Sequence, residues 1–230
     1  IGKEDFCVGF SLAGIRNMSI IETPPENRLP IQTFIKHFSP GIITEAIEQE
    51  LARNGQVFFV HNRIESIEPM KKYLQKLVPQ ARIEIAHGQM PERKLEQVMF
   101  RFSERQFDIL LSTSIIESGL DIPSVNTILI NRADRFGLAD LYQLRGRVGR
   151  DRHQAYAYLL VPGESHLSKD ARKRLQAIKE LSQLGSGFQL ASRDMEIRGA
   201  GNVLGSQQSG HMAAVGFELY CRLLEETVKE

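Results

Sequence analysis

The alternation of strand-length apolar runs with helical patterns between residues 57 and 161 constrains the fold more than any other feature of this sequence. Each run is short, rich in β-branched or aromatic residues, and apolar on both sides. The predicted strands are 57–60, 83–86, 107–111, 125–130 and 155–161, with helices at 64–77, 91–102 and 138–144. This order predicts an α/β fold, a mostly parallel sheet covered by helices on both faces. Ligands of such sheets bind beyond the carboxyl ends of the strands.

The segments on either side of this alternation have a different character. Residues 1–33 contain Pro24, Pro25 and Pro30 and are predicted to be an extended linker. Residues 41–55 show helical spacing, and Gly55 is the predicted stop of that helix. We therefore expect the compact domain to begin near residue 34.

The sequence pattern changes near residue 163, where the alternation of strands and helices ends. Ser168 can cap a charged helix whose apolar stripe runs to Leu184, with Gly185 as its predicted end. A glycine-rich segment follows at 185–216, and a terminal amphipathic helix is predicted from Phe217 to Val228. Residues 163–230 are thus predicted to form a smaller helical appendage.

Composition excludes several classes of protein. The 230 residues carry a net charge of +1, with 42% hydrophobic and 25% charged residues, which is typical of a soluble globular protein. Cys7 and Cys221 predict neither a zinc site nor a disulfide framework, which favours an intracellular compartment. No signal peptide is predicted, and residues 199–217, although free of Asp, Glu, Lys and Arg, are too polar to span a bilayer. We expect no membrane partner, and binding of nucleic acid would require a local basic patch.

Such a patch occurs at Gln143–Arg150 and the two residues after it. Arg145, Arg147, Arg150 and Arg152 lie within eight residues, and Gly146 and Gly149 separate them. Glycine costs a helix about 1 kcal/mol, so this is not an ordinary helix surface. Guanidinium groups bind phosphate oxygens in a bidentate manner, which predicts a phosphate chain as the partner. A surface turn with arginine–carboxylate pairs is an equally open alternative on these residues alone.

Polar residues follow three predicted strands directly. These segments are His61-Asn62-Arg63, His87-Gly88-Gln89 and Ser112-Thr113-Ser114. Hydroxyls, backbone amides and one arginine are groups that bind phosphates without reading bases. Taken singly, His61 and His87 are more often hydrogen-bonded loop histidines than ligand contacts. The histidine spacing predicts no metal site, and no G-x-S-x-G nucleophile motif is present.

The combination of these motifs has a known counterpart. Thr113–Pro123 followed by Gln143–Arg150 has the order and spacing of two signature motifs of superfamily 2 helicases, and Val57–Arg63 resembles the preceding motif of the same set. Residues 34–162 therefore resemble the second RecA-like motor domain of such an enzyme. The resemblance implies that Arg147 and Arg150 are arginine fingers, and that Gln143 lies beside the nucleotide. It also implies ATP contacts on the ribose side and contacts with DNA. The ATP-binding residues are Gly119 and Asp121, and the DNA-binding residues are Asn62, Arg63, His87, Gly88 and Thr113.

The sequence lacks the parts that hold the β- and γ-phosphates. Its only Gly-Lys pair is Gly2-Lys3, followed by Glu4, so no Walker A motif is present. There is also no D-E-x-x box to bind Mg²⁺. The resemblance thus implies ATP with Mg²⁺ as cofactors of a complete enzyme whose first motor domain binds them. We expect the isolated chain not to hydrolyse ATP.

The carboxyl-terminal segment resembles a translocation motif, a helical hairpin shared by two bacterial families. The matching stretches are Arg174–Gln176, Arg193–Gly201 and Leu204–Gly210. Arg174, Arg198 and Gln208 align with positions that couple motor closure to movement on duplex DNA. A structural ion-pair network between Arg198 and Glu196 is the alternative interpretation.

Further stretches distinguish the two families. The stretches Gly199–Asn202 and His211–Tyr220, and Ile15-Arg16 together with Ile21–Pro25, resemble the bacterial transcription-repair coupling factors. The resemblance implies a remnant of the first motor domain in residues 1–33, the second in 34–162, and the translocation motif with a terminal helix in 163–230. It also implies double-stranded DNA, RNA polymerase and excision-repair proteins as partners, in the cytoplasm at the nucleoid. The alternatives are a replication-fork-reversal helicase and a non-catalytic module that binds a nucleotide or RNA.

Overall fold

A computed structural model describes residues 29–114, 122–150, 152–163, 167–181 and 187–198. The chain divides into two compact units, Pro25–Gln183 and Ile1–Pro24 with Leu184–Glu230. The strands are β1 Gln32–His37, β2 Gln56–His61, β3 Ile83–Ala86, β4 Ile109–Ser112, β5 Val125–Asn131 and β6 Tyr156–Val161. The helices are α1 Pro40–Ala52, α2 Ile67–Leu77, α3 Glu92–Ser103, α4 Leu138–Arg145, α5 Lys169–Glu180 and α6 Gly187–Arg198. Short 3₁₀ turns occupy Ile64–Ser66 and Ala133–Arg135.

The first unit is built on one sheet with the strand order β1-β6-β5-β2-β4-β3. All five neighbouring pairs are parallel. β2 and β5 are buried along their entire length, as their continuous apolar runs predict. The predicted parallel sheet is therefore confirmed. No helix in the described residues is both long enough and apolar enough to cross a membrane.

Helices cover both faces of this sheet. On one face, Phe59 of β2 packs in a buried cluster with Ile47 of α1 and Leu74 of α2. Phe58 points to the opposite face, because successive strand residues alternate, and its ring lies 5.5 Å from that of Phe102 in α3. Full burial of aromatic and aliphatic side chains on two faces contributes roughly 1.5–3 kcal/mol for each side chain. This two-sided core fixes where the strands end and hence where the polar loops lie.

The sequence pattern does not predict strand β1, and the predicted linker includes residues 32 and 33. Its sequence has two central apolar residues, Phe34 and Ile35, and no regular alternation. The strand lies at the edge of the sheet, paired with β6 from Gln32↔Tyr156 to His37↔Val161. An edge strand needs only one buried side, so its apolar signal is weak.

Two helix ends also differ from the prediction. Helix α1 ends at Ala52 rather than Gly55, because Asn54 takes the left-handed conformation (φ 59°) that ends the helix. Helix α5 ends at Glu180, short of the predicted stop at Gly185. Its predicted cap is confirmed, since the Ser168 hydroxyl accepts a hydrogen bond from the Ala171 N–H at 3.1 Å.

Glu50 is a buried carboxylate at the end of α1, near the amino-terminal edge of the sheet. It is 1% exposed and accepts hydrogen bonds from Thr127 of β5 and from Arg53. Arg53 in turn donates to the Gln154 carbonyl at 2.8 Å. A Cβ atom on Gly55 would lie 1.7 Å from Glu50 Oε1, so glycine is required there to leave space for the carboxylate. The Glu50 network therefore joins α1, β5 and the segment that enters β6.

Helix α6 is the described part of the second unit. It lies inside the glycine-rich segment, where the translocation-motif resemblance implies a helical hairpin. Arg193 and Glu196 form an exposed ion pair of 2.7 Å on it, so Glu196 has a partner other than the Arg198 that we had considered. The predicted terminal helix at 217–228 lies outside the described residues. The predicted domains 1–33, 34–162 and 163–230 stay a prediction.

Candidate functional site: two polar regions at opposite ends of the strands

The predicted DNA-contact residues follow three neighbouring strands. Because β2, β4 and β3 are adjacent and parallel, their carboxyl ends lie side by side on one edge of the sheet. The residues that directly follow these ends are Asn62 and Arg63 after β2, Thr113 after β4, and His87 and Gly88 after β3. The fold thus brings all five predicted contact residues to the same edge.

These residues differ in exposure. Asn62, Arg63 and Gly88 are exposed, and His87 is half-buried. Thr113 is only 6% exposed, and its N–H donates to the Ala86 carbonyl at 3.3 Å. Thr113 thus ties the end of β4 to the end of β3, and its hydroxyl is less accessible than the prediction requires. The other four residues offer one guanidinium, one amide, one imidazole and a bare backbone.

His61 at the end of β2 holds the Asn62–Arg63 loop in place. Its Nδ1 lies 2.9 Å from the Asn131 side-chain amide, which donates, and its Nε2 lies 2.8 Å from Ser66 Oγ. Nε2 therefore carries the proton and donates to Ser66. The Arg63 N–H also donates to the His61 carbonyl at 2.8 Å. The hydrogen-bonded loop histidine that we had considered for His61 is what the structure shows.

Burial, and secondly the positive charge of Arg63, lower the pKa of His61 below its usual 6.5. As the pH falls through 6.5, the unfolded chain therefore takes up this proton first. The folded form is then destabilised as the pH drops, because a protonated Nδ1 cannot accept from Asn131. Above pH 6.5 the stabilisation of the fold by neutral His61 is fully present.

We expect the wild-type chain to lose more stability than His61→Gln when the pH falls from about 7.5 to about 5.5. Urea unfolding of both proteins at each pH measures the difference. His37→Gln, at an exposed position on the edge strand β1, is the matched control and should follow the wild type. An equal pH dependence in all three proteins would contradict the assigned role of His61.

The second polar region is the arginine-rich turn after α4. Helix α4 is capped at its start by Asp140, which accepts from the Gly137 N–H at 3.0 Å. The chain then turns at Gly149, whose φ of +74° favours glycine. A Cβ atom there would also lie 2.9 Å from the Cβ of Ala155. Gly149 thus sets the direction of the chain between Arg147 and Arg150, which are both half-buried.

The arginine-rich turn lies away from the predicted DNA edge. A Cβ atom on Gly149 would lie against Ile31 and Ala155, which directly precede β1 and β6, so Gly149 lies at the amino-terminal edge of the parallel sheet. Gln143 lies on α4, one helical turn before Arg147, and it is half-buried like Arg147 and Arg150. Gln143, Arg147 and Arg150 therefore form one region, and Asn62, Arg63, His87, Gly88 and Thr113 form another. The structure does not join the two regions into a single pocket.

One arginine of the motif has a different position. Arg145 is 4% exposed, and its guanidinium donates to the carbonyls of Ile178 at 2.8 Å and Leu181 at 3.0 Å. The hypothesis of four arginines facing one polyanion is therefore wrong for Arg145. The sequence does not indicate that Arg145 is buried, because all four arginines have similar neighbours.

The structure describes only some of the remaining predicted site residues. Arg174 of α5 donates to the Asp134 carbonyl at 3.2 Å. Arg198 is the last residue of α6. Gly119, Asp121 and Gln208 lie outside the described residues. Within the described ranges no group of three or more His, Cys, Asp or Glu side chains could hold a metal ion.

The guanidinium groups of Arg147 and Arg150 are positively charged and so match the negative charge of the phosphates of ATP.

Comparison with known proteins defines the class. Residues 41–152 match the helicase conserved C-terminal domain. RecG bound to a three-way DNA junction is similar in structure, with a TM-score of 0.66 and 34% identity over 87% of this chain and 26% of that one. S. cerevisiae Dbp5 bound to RNA and ADP BeF3 shares the fold, with a TM-score of 0.51 and 17% identity over 74% of this chain and 44% of that one. The first unit is thus a RecA-like helicase C-terminal domain.

Sequence comparison gives the family. The chain is 56% identical over 220 residues to the transcription-repair-coupling factor of Myxococcus xanthus, covering 96% of this chain and 18% of that protein. It is 54% identical over 220 residues to that of Staphylococcus aureus, covering 96% and 19%. The chain belongs to the transcription-repair-coupling factor family, as the resemblance predicted, and it spans about a fifth of the length of these relatives.

Proposed function

We propose that this chain supplies the second motor domain and translocation motif of an ATP-dependent translocase on double-stranded DNA. The complete protein would displace stalled RNA polymerase and recruit excision-repair proteins, at the nucleoid in the cytoplasm. The observation that carries the proposal is the arginine-rich turn, which holds Arg147 and Arg150 half-buried on a helicase C-terminal domain. Membership of the coupling-factor family supports the choice of DNA and RNA polymerase.

ATP with Mg²⁺ would supply the free energy for movement. In this proposal Arg147 and Arg150 neutralise phosphate charge and Gln143 orients the nucleotide from the same side. The predicted ribose contacts are Gly119 and Asp121. The Walker A and D-E-x-x motifs are absent from this sequence, so the first motor domain would hold the β- and γ-phosphates and the Mg²⁺.

DNA would lie along the other edge of the sheet. Asn62, Arg63, His87 and Gly88 offer groups that contact a strand backbone without selecting a sequence. Thr113 would act through its position between β3 and β4 more than through its buried hydroxyl. Arg174, Arg198 and Gln208 would couple motor closure to movement along the duplex.

A replication-fork-reversal helicase is the second candidate, because RecG is similar over 87% of this chain. The identity to that protein is 34%, whereas it is 54–56% to the coupling factors. The comparison therefore favours the coupling factor. Displacement of a stalled RNA polymerase, rather than reversal of a branched DNA, is the activity that separates the two.

We expect the isolated 230-residue chain to show no ATP turnover, with or without duplex DNA. The complete protein should hydrolyse ATP and displace both a triplex-forming oligonucleotide and a stalled polymerase. Steady-state phosphate release and gel-resolved displacement are the two measurements. Steady turnover by the isolated chain would refute the division of the ATP site between two motor domains.

A further inference from the structure

The turn that follows β5 is a basic segment to which no motif of the sequence assigns a role. Strand β5 ends at Asn131, and Arg132 leads into the 3₁₀ turn Ala133–Arg135. β5 lies beside β2 in the parallel sheet, and Asn131 is in register with His61. Arg132 and Asn62 are therefore the first residues beyond two neighbouring strand ends. The turn after β5 thus leaves the sheet at the same edge as the predicted DNA contacts.

A side-chain hydrogen bond joins these two strand ends. The Asn131 amide donates to His61 Nδ1 at 2.9 Å, and His61 Nε2 lies 2.8 Å from Ser66 Oγ. Neighbouring strands of a sheet lie about 4.7–4.9 Å apart, so the segments that follow β2 and β5 begin side by side. A phosphate chain that passes the Asn62–Arg63 loop would therefore come close to the turn after β5.

Arg132 holds this turn in one conformation. Its backbone is left-handed, with a φ of 55°, which is uncommon for a residue other than glycine. Its Nε and one terminal nitrogen donate to the two oxygens of the Asp134 carboxylate, each at 2.9 Å. The planar fork of arginine matches a carboxylate in this bidentate manner. The charges of Arg132 and Asp134 offset each other, and the pair gives the turn a defined shape.

Arg135 is the remaining charge of the turn. It is exposed, and among the described residues its guanidinium makes neither a hydrogen bond nor an ion pair. The Asp134 carboxylate is already bound by Arg132. The loop after β2 carries Arg63 and Glu65, whose formal charges cancel. Arg135 therefore gives the two adjoining segments their net positive charge.

These features suit a phosphate of the DNA backbone. An exposed guanidinium can reach the outside of a duplex, and its fork binds two phosphate oxygens at once. Contacts of this kind fix the position of a strand and do not read its sequence. Arg63 and Arg135 would then bind the backbone from two neighbouring loops.

We propose that Arg135 is a further DNA-binding residue, which contacts a backbone phosphate at the carboxyl-terminal edge of the sheet. The proposal rests on the proposed function, since it concerns the same DNA-binding edge. It extends that edge from the ends of β3, β4 and β2 to the end of β5. Because a phosphate contact carries no sequence preference, Arg135 contributes equally on any duplex.

The test measures duplex binding by the complete protein at several salt concentrations, with a non-hydrolysable ATP analogue that prevents movement. On duplex DNA, each phosphate contact contributes about 0.9 to the slope of log K against log salt concentration. We expect Arg135→Ala to bind every duplex more weakly than the wild type, with a slope smaller by about 0.9. Arg135→Lys keeps the charge and should keep most of the wild-type slope.

Lys76→Ala is the matched control for the loss of one charge. Lys76 is an exposed cation in the last turn of α2, and α2 runs back from the end of β2 toward the start of β3, at the opposite edge of the sheet. Its replacement should leave affinity and slope unchanged. A wild-type slope in Arg135→Ala, or an equal loss of slope in Arg135→Lys, overturns this inference alone. A wild-type complete protein that does not bind duplex DNA overturns the proposed function, and this inference with it.

Discussion

Arg147→Ala in the complete protein should reduce ATP turnover by about 10³-fold or more, the range in which arginine fingers act. The guanidinium would neutralise charge that develops on the phosphates in the transition state, and alanine offers no replacement. Arg147 is half-buried on a turn whose direction Gly149 sets, and the substitution leaves Gly149, and hence that turn, unchanged. Phosphate release at saturating ATP measures the loss.

Two controls separate this effect from a general defect. Arg93→Ala removes the same charge from the exposed surface of α3 and should leave turnover unchanged. Duplex binding and the unfolding temperature of Arg147→Ala should match those of the wild type, because the predicted DNA contacts lie at the other edge of the sheet. Turnover that survives in Arg147→Ala would reject the arginine-finger assignment.

Glu50→Ala should destabilise the isolated chain by about 2–4 kcal/mol. Loss of one partner from a buried ion pair typically costs roughly 3–5 kcal/mol, and the lower value reflects the 27% exposure of the Arg53 side chain. Thr127 also loses the acceptor of its hydroxyl. Urea unfolding followed by circular dichroism gives the free energy.

Glu48→Ala is the matched control for this substitution. Glu48 is an exposed residue of the same helix, and its replacement should change the free energy of unfolding by less than about 0.5 kcal/mol. Equal effects of the two substitutions would mean that the Glu50 network contributes little. The expected difference would instead show that one carboxylate joins α1, β5 and the entry to β6.

The central strands and their order along the chain could be predicted, because a strand buried on both faces must be apolar throughout. β2 and β5 show this directly. The edge strand β1 could not, since its sequence carries little apolar signal and its pairing partner β6 lies far along the chain. The family resemblance identified the fold and the class for a different reason, namely the spacing of whole motifs.

The site was predictable to the extent that polar residues at strand ends are visible in the sequence. The alignment of Asn62 and His87 on one edge followed once the strands were parallel. The burial of Arg145 could not be predicted, because nothing in Gln143–Arg150 marks which arginine is turned inward. The pairing of His61 with Asn131 also depends on β2 and β5 being neighbours, which strand lengths alone do not reveal. The catalytic, nucleotide and DNA roles stay predictions.

The pairing of β1 with β6 has a consequence for synthesis of the chain on the ribosome. β1 emerges first, yet the strand that it pairs with in this sheet, Tyr156–Val161, is made last of the six. At a synthesis rate of about 5–20 residues per second, roughly ten seconds pass between the synthesis of β1 and that of β6. During this time the backbone groups of β1 lack the strand with which they pair in the folded sheet. The low apolar content of β1 prevented its prediction from the sequence. The same low apolar content makes the unpaired strand a poor template for aggregation during synthesis.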